Sequence, residues 1–152
     1  MCKKVTGHKR RGFTLLELVI VMAIITILAG LIVSGAQLAR RRGVKTKAMA
    51  AIESMGIAIC MYEVDMGRYP PDTEGVKSLV EALTEDPGDL NWNGPYMDFK
   101  AEDLKDGYFI DPWGGPYQYN SSSPPHNVAS YDLYSFGEDG PDGSPADDIT
   151  NW

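Results

Sequence analysis

The feature that most constrains this chain is an apolar run close to its N-terminus. No charged residue occurs from Leu18 to Val33, and Glu17 is the only ionisable side chain in the 24 residues from Phe13 to Ala36. A helix of that length rises about 36 Å, whereas the apolar core of a bilayer is about 30 Å thick. The run therefore predicts a membrane-spanning helix and excludes a uniformly water-soluble protein.

The net charge changes sign after this run. Residues 1–47 contain ten Lys or Arg and one acid, a net charge of +9, whereas residues 48–152 contain four Lys or Arg and twenty acids, a net charge of −16. The acidic part would repel phosphate, which argues against a nucleic-acid-binding protein. With 152 residues the chain has room for one modest core, so a large multidomain enzyme is excluded as well.

Two ordinary kinds of N-terminal segment compete to explain the run, and each leaves part of it unexplained. A cleaved secretory signal peptide is disfavoured because the run is long, has an acid near its start and lacks a small-x-small cleavage site. A plain membrane anchor agrees with the hydropathy but leaves Glu17 unexplained, since a carboxylate inside an apolar helix costs about 2.5 to 3.5 kcal/mol on insertion scales. Glu17 should therefore have a cationic partner or a function.

The residues around Glu17 resemble the processing signal of type IV prepilins. The matching sequence is RRGFTLLELVIV, which contains Gly12, Phe13 and Glu17. The resemblance implies that a prepilin peptidase cuts between Gly12 and Phe13 and that Phe13 is then N-methylated. It also implies that Glu17 pairs with the N-terminal amine of a neighbouring subunit. Residues 1–12, with five basic and no acidic side chains, would be the leader peptide.

The helical pattern continues beyond the apolar run without a proline before Pro70. Apolar side chains recur at spacings of three and four, which predicts an amphipathic helix that packs on a sheet. These positions are Ile52, Met55, Ile59, Tyr62 and Met66. We expect Cys60, beside this stripe, to be buried as a small apolar residue. Pro70 and Pro71 end the helix.

After residue 71 the pattern indicates one short helix and several short strands. Thr73 is placed to cap the helix, in which Val76, Leu79, Val80 and Leu83 share a face. Strands are predicted at residues 108–110, 117–119 and 131–136, separated by turns rich in Gly and Pro. The predicted fold class is α+β, with a small antiparallel sheet packed on a long N-terminal helix.

Five sequence blocks in this part resemble the major, G-type pseudopilins of type II secretion. They are GRYP at 67–70, WNGPY at 92–96, DPWGGPYQY at 111–119, DLYSFGEDG at 132–140 and ADDITNW at 146–152. The resemblance implies a pilin-like fold with a leader at 1–12, a transmembrane or filament-core helix at 13–39, its amphipathic continuation at 40–66 and a globular head at 67–152. Ser34 and Gly35 stand where family members usually have a proline.

An acidic cluster lies near the C-terminus. Its members are Glu138, Asp139, Asp142, Asp147 and Asp148. A solvated acidic tail is one interpretation, and the EF-hand spacing is absent, but oxygen ligands on a Gly-rich loop also suit Ca²⁺. The resemblance to G-type pseudopilins favours calcium. It implies side-chain ligands from Asp139, Asp147 and Asp148, and main-chain oxygens from Phe136 and Pro141.

The resemblance implies a structural protein that is not an enzyme, and the sequence shows neither a Ser/His/Asp set nor a phosphate-binding loop after a strand. We predict a subunit of a periplasmic filament that drives protein export across the outer membrane, inserted once in the bacterial inner membrane. The implied partners are further copies of the chain, minor pseudopilins, the prepilin peptidase and the inner-membrane assembly platform. Two alternatives stay open, a type IV pilin or minor pseudopilin and a membrane-anchored periplasmic calcium-dependent binding module that never polymerises.

Overall fold

The computed structural model describes residues 13–152, apart from the side chains of residues 31–35. Two helices are followed by a 3-10 turn and five short strands. They are α1 Leu15–Met66, α2 Val76–Thr84, the turn Ala101–Asp103, β1 Leu104–Lys105, β2 Tyr108–Phe109, β3 Gln118–Asn120, β4 Asp132–Ser135 and β5 Ile149–Thr150. The predicted α+β class is confirmed. The chain divides into two compact units, with the boundary between Arg41 and Arg42.

In the first unit the described apolar side chains are largely exposed. Leu15 is 81% exposed and Leu16 69% exposed, and Ile20, Met22 and Ile24 are each at least half exposed. In the part of the chain that the structure describes, no helix has the length and hydropathy needed to cross a membrane. The run on which the membrane prediction rests includes residues 31–35, whose side chains lie outside that part.

The second unit has a core built on the later turns of α1. The predicted stripe is buried at Ile52, Met55, Ile59 and Tyr62, where it packs with α2 and the strands. Cys60, in contrast, is exposed, so the expectation that it is buried is wrong. Each residue of an α-helix is rotated by about 100° from the previous one, and Cys60 is thereby turned away from the face that holds Ile59.

Helix α2 begins two residues later than the position of Thr73 suggests. Gly75 precedes the helix with a φ of 61°, a left-handed conformation that glycine adopts readily, and no side chain caps the first turn. The Ser78 hydroxyl instead accepts the N–H of Glu74 at 2.9 Å. The predicted apolar face is present, because Leu79 and Leu83 are fully buried.

The strands form two small antiparallel sheets. Strands β1 and β2 make a hairpin, and β3, β4 and β5 form a second sheet with β4 in the centre. Leu133 on β4 is fully buried. The Tyr119 hydroxyl at β3 donates to the Pro70 carbonyl at 2.9 Å and so ties this sheet to the segment that follows α1. The three predicted strands correspond to β2, β3 and β4, while β1 and β5 were not predicted.

Candidate assembly end and C-terminal loop

The first candidate site is the beginning of α1. Phe13 is 76% exposed, and the helix begins two residues later at Leu15. The Thr14 hydroxyl accepts the N–H of Glu17 at 3.2 Å, which is the bond that a helix-capping threonine makes to the third residue of a helix. The sequence Thr14-Leu-Leu-Glu17 thus has the spacing of a capping box.

Glu17 is therefore an acid in the first turn of a helix, and its side chain is exposed. A carboxylate at this position interacts favourably with the helix dipole by about 0.3 to 1 kcal/mol. Both Phe13 and the Glu17 carboxylate lie at the same end of α1, accessible to another molecule. Gly12, the predicted residue before the cut, lies outside the described residues.

The second candidate site is the loop of residues 136–148, which joins β4 to β5. In the antiparallel register of these strands Ser135 lies opposite Ile149. The ladder ends at this pair, and the residues directly beyond it, Phe136 and Asp148, are two of the predicted ligand residues at the mouth of the loop.

Carboxylates inside this loop accept bonds from its backbone. Asp147 Oδ2 accepts the N–H groups of Glu138 at 2.9 Å and Asp139 at 3.4 Å, and Asp139 Oδ2 accepts the N–H of Ser144 at 2.6 Å. Gly137 permits this arrangement, because its φ is +75° and a Cβ there would lie 2.6 Å from Asp147 Oδ2. The loop is thus folded around two of the three aspartates predicted to bind calcium.

The three aspartates also influence one another electrostatically. Burial, together with the charges of Asp147 and Asp139, raises the pKa of Asp148. Burial acts in the same direction on Asp147, but the hydrogen bond with Asp139 and the N–H groups of Glu138 and Asp139 outweigh it and lower the pKa of Asp147. A nearby cation would relieve this repulsion.

The predicted ligand residues do not form a closed cage. Among the described residues, no three His, Cys, Asp or Glu side chains converge as a metal-binding group. Phe136, Asp139 and Pro141 line a cavity of about 250 Å³, together with Asp111 and Trp113. The structure therefore brings two aspartates together through backbone bonds, and places Phe136, Asp139 and Pro141 around one cavity.

A buried network anchors the start of the loop, and sequence reasoning missed it. Ser135 Oγ donates to Asp111 Oδ2 at 2.5 Å and accepts the N–H of Gly137 at 3.1 Å. Asp111 Oδ1 accepts the N–H groups of Trp113 at 3.0 Å and Gly115 at 2.9 Å. An aspartate directly before a turn rich in Pro and Gly is the signal that could have identified Asp111, since such side chains commonly accept N–H bonds from the following turn.

A second anchor holds the segment after β5. Asn151 Oδ1 accepts the N–H of Leu133 at 2.9 Å, which extends the contact between this segment and β4. The Trp152 ring stacks on the His126 ring with centroids 4.0 Å apart. Asp132, which is fully buried, accepts the N–H groups of His126 at 3.0 Å and Asn127 at 2.8 Å. Both ends of the 136–148 loop are thus attached to the core.

Two models of known protein families match parts of the chain. The model of the family described as type II secretion system (T2SS), protein G, matches residues 38–152. The chain belongs to this family. A second model, the prokaryotic N-terminal methylation motif, matches residues 7–33, which include the predicted processing signal of the protein G family member.

Individual relatives agree with this assignment. The chain is 36% identical over 151 residues to the type II secretion system core protein G of Pseudomonas aeruginosa, covering 95% of this chain and 96% of that protein. It is 39% identical over 148 residues to the core protein G of Escherichia coli strain K12, covering 95% and 92%. The core protein G of Vibrio cholerae is 33% identical over 148 residues, with 95% and 93% covered.

A solved structure of a major pseudopilin also matches the fold of this chain. The crystal structure of the major pseudopilin from the type 2 secretion system of enterohaemorrhagic Escherichia coli matches with a TM-score of 0.52 and 27% sequence identity. The match covers 74% of this chain and 86% of that structure. The predicted family, the pilin-like fold and the function of a structural pseudopilus subunit are confirmed by these comparisons.

Proposed function

We propose that this protein G family member is made as a precursor, cut between Gly12 and Phe13, and polymerised into a periplasmic pseudopilus that drives protein export. One observation carries the proposal. The helix starts two residues after the proposed cut, with Thr14 as its cap and Glu17 in its first turn. The cut would therefore release a chain whose new amine, on Phe13, lies four residues from Glu17, the only acid in residues 13–47.

The chemistry of that end explains why a second copy is needed. The cut creates an ammonium group on Phe13, and Glu17 supplies a carboxylate in surroundings that become apolar when helices associate. A buried carboxylate without a partner is strongly unfavourable, by about 3 to 5 kcal/mol when one member of a pair is removed. Pairing Glu17 with the amine of an adjacent copy satisfies both charges and sets the register between the two helices.

The N-terminal leader and the apolar helix also indicate where the protein would be located and what it would contact. Before polymerisation the apolar helix would sit in the bacterial inner membrane, with residues 1–12 on the cytoplasmic side and the head in the periplasm. Prepilin peptidase would act on the Gly12–Phe13 bond. Minor pseudopilins and the inner-membrane assembly platform would contact the assembling subunits. The chain itself would have a structural role and no enzymatic one.

Processing is tested by the mass and N-terminal residue of the protein isolated from its membrane. We expect a chain that begins with methylated Phe13, and a Gly12→Ala variant that retains residues 1–12. A wild-type chain that still begins at Met1 would refute the proposal.

Polymerisation is tested by cysteine crosslinking of the full chain in membranes, in a Cys60→Ser background. Cysteine pairs at exposed positions of α1, such as Leu16 and Ile24, should give a ladder of covalent oligomers. Glu17→Val should be processed yet lose the ladder, while the matched control Leu18→Val should keep it. Processed monomers alone would favour the alternative of a membrane-anchored calcium-dependent module.

We further propose that Ca²⁺ binds the 136–148 loop. The donor set suits this ion, since Asp139, Asp147 and Asp148 offer carboxylate oxygens and Phe136 and Pro141 offer carbonyl oxygens, all of the hard type that calcium prefers. Burial and the charges of Asp147 and Asp139 raise the pKa of Asp148, and a bound ion would offset the part due to those charges. The loop contains no cysteine, so calcium would serve where other small domains use a disulfide.

Calcium binding is tested by thermal unfolding of the full chain in detergent, with calcium and with a chelator. A ligand at 100 times its Kd stabilises the folded state by about 2.7 kcal/mol, so we expect a clear rise in Tm with calcium. Asp147→Asn should abolish the rise. Asp142→Asn is the matched control, because Asp142 is exposed in the same loop and is not a proposed ligand. Equal Tm values with calcium and chelator would refute this site.

A further inference from the structure

The head carries a second large cavity, which is lined by residues outside the 136–148 loop. It has a volume of about 640 Å³ and lies between the end of α1, the segment that follows it, α2 and residues 121–122. Three acids line it, Glu81, Glu85 and Asp86, and Arg68 is the one cation among the described residues around it. We call this cavity the acidic groove.

The walls of the acidic groove suit a basic side chain. Glu81 lies in the last turn of α2 and Glu85 is the residue that ends the helix, and both are exposed and line the groove. Tyr69 and Pro87 also line the groove. Carboxylates beside an aromatic ring are the surroundings that bind guanidinium and ammonium groups, through charge-assisted hydrogen bonds and cation–π contact.

The chain also carries basic side chains that match the acidic groove in charge. Arg42 and Lys45 are exposed on α1 and lie three residues apart, on one side of the helix. We call them the basic pair. Lys47, the next cation, already pairs with Asp103 at 3.1 Å, so it is not part of this surface.

The basic pair and the acidic groove lie at different places on one molecule. Lys45 precedes Tyr62, which lines the groove, by 17 positions on α1, which corresponds to roughly 25 Å of helix. A contact between two different patches of identical chains is heterologous. Such a contact leaves one patch free on each end of a dimer and so continues into a helical filament.

We propose that the basic pair of one copy binds in the acidic groove of a second copy. This inference rests on the proposed polymerisation and specifies a contact between heads that is separate from the pairing at Glu17. It brings a basic surface of the processed chain, where residues 13–47 contain five Lys or Arg and one acid, against an acidic surface of the head.

The first test is mixed crosslinking of two full-length variants in one membrane, each in the Cys60→Ser background. Lys45→Cys and Glu85→Cys are co-expressed and oxidised. The proposal predicts covalent dimers that contain one chain of each variant, in clear excess of the dimers found when either variant is expressed alone. Mixed dimers no more abundant than the dimers of a single variant would overturn it.

The second test is charge exchange, with the Leu16/Ile24 cysteine ladder as the readout. Arg42→Glu with Lys45→Glu, or Glu81→Arg with Glu85→Arg, should each reduce the higher oligomers roughly tenfold, and combining all four should restore them to within about twofold. The matched control, Asp98→Arg with Glu102→Arg, makes the same charge change at exposed acids that do not line the groove and should leave the ladder intact.

The outcomes separate this inference from the proposed function. If the Leu16/Ile24 cysteine variant without any charge exchange gives no ladder, polymerisation fails and the inference fails with it. If the ladder forms but neither exchange reduces it, the groove contact is wrong and the filament stands. If the Arg42/Lys45 exchange abolishes the ladder and the Glu81/Glu85 exchange does not restore it, the basic pair binds something other than the groove, such as anionic lipid headgroups, and the inference is overturned.

Discussion

Three glycines in the 136–148 loop allow two structural costs to be separated. Gly140 has a φ of +74° and open space around an added Cβ, so Gly140→Ala tests the backbone conformation alone. Gly143 lies outside the left-handed region, but an added Cβ would overlap the Asp139 carboxylate, so Gly143→Ala tests the close approach alone. Gly137 has both features, with a φ of +75° and Asp147 Oδ2 at 2.6 Å from an added Cβ.

The expected losses of unfolding free energy follow from the cost of the left-handed backbone and the cost of the close approach. A left-handed conformation costs an alanine about 1 to 2 kcal/mol, and forcing a methyl group into a packed site costs about 1 to 3 kcal/mol. Gly140→Ala should therefore lower the free energy of unfolding by about 1 to 2 kcal/mol and Gly137→Ala by about 2 to 5 kcal/mol. At about 4 °C per kcal/mol, the corresponding falls in Tm are roughly 4 to 8 °C and 8 to 20 °C.

The assay is thermal unfolding of the full chain in detergent, followed by tryptophan fluorescence, with calcium and with chelator. Gly137→Ala and Gly143→Ala should also lose the rise in Tm that calcium produces, because each displaces a carboxylate proposed to bind the ion. Gly140→Ala should keep it. The reasoning is refuted if Gly137→Ala is no more destabilising than Gly140→Ala, or if all three variants keep the full response to calcium.

Two further predictions concern the core of the head. Although burial disfavours its ionised form, the N–H groups of Asn127 and His126 and the His126 ring lower the pKa of Asp132 below its ordinary value of 3.8. The Asp132 carboxylate therefore stabilises the fold above pH 3.8, and this stabilisation is lost as the pH falls below that value. Asp132→Asn should flatten the acid limb of a curve of unfolding free energy against pH. An unchanged slope would contradict this prediction. Leu79→Ala should lower the free energy of unfolding, measured in urea, by about 2 to 5 kcal/mol because Leu79 is fully buried. Val64→Ala, at a position 78% exposed, should change it by no more than about 0.5 kcal/mol. Similar losses for both variants would show that the core is assigned wrongly.

Much of the architecture could be predicted because its information is local. The stripe from Ile52 to Tyr62 repeats at the helical period, and that period alone identifies the buried face. The apolar face of α2 follows in the same way from Val76, Leu79 and Leu83. The family could be recognised from short blocks whose residues are neighbours in sequence, such as the one containing Phe13 and Glu17.

Other features depended on contacts between distant residues. Strand β5 is only two residues long and has no pattern of its own, and it exists because Ile149 lies opposite Ser135. The bonds from the N–H groups of Glu138 and Asp139 to Asp147 join residues nine and eight positions apart in sequence. These residues meet because the pairing of β4 with β5 brings the two ends of the loop together. Composition could indicate that this loop is acidic, but not which carboxylates meet.

The sequence by itself determined both helices of the described chain, three of its five strands, where the apolar and charged segments begin, and to which family the chain belongs. These properties follow from side-chain period, hydropathy and short motifs, which act over a few residues. Only the tertiary structure decided that Cys60 is exposed, that Asp111 and Ser135 anchor the C-terminal loop, and that three acids line one groove. Each of those facts depends on the direction of a side chain relative to elements far away in the sequence, and that direction is set when the core packs.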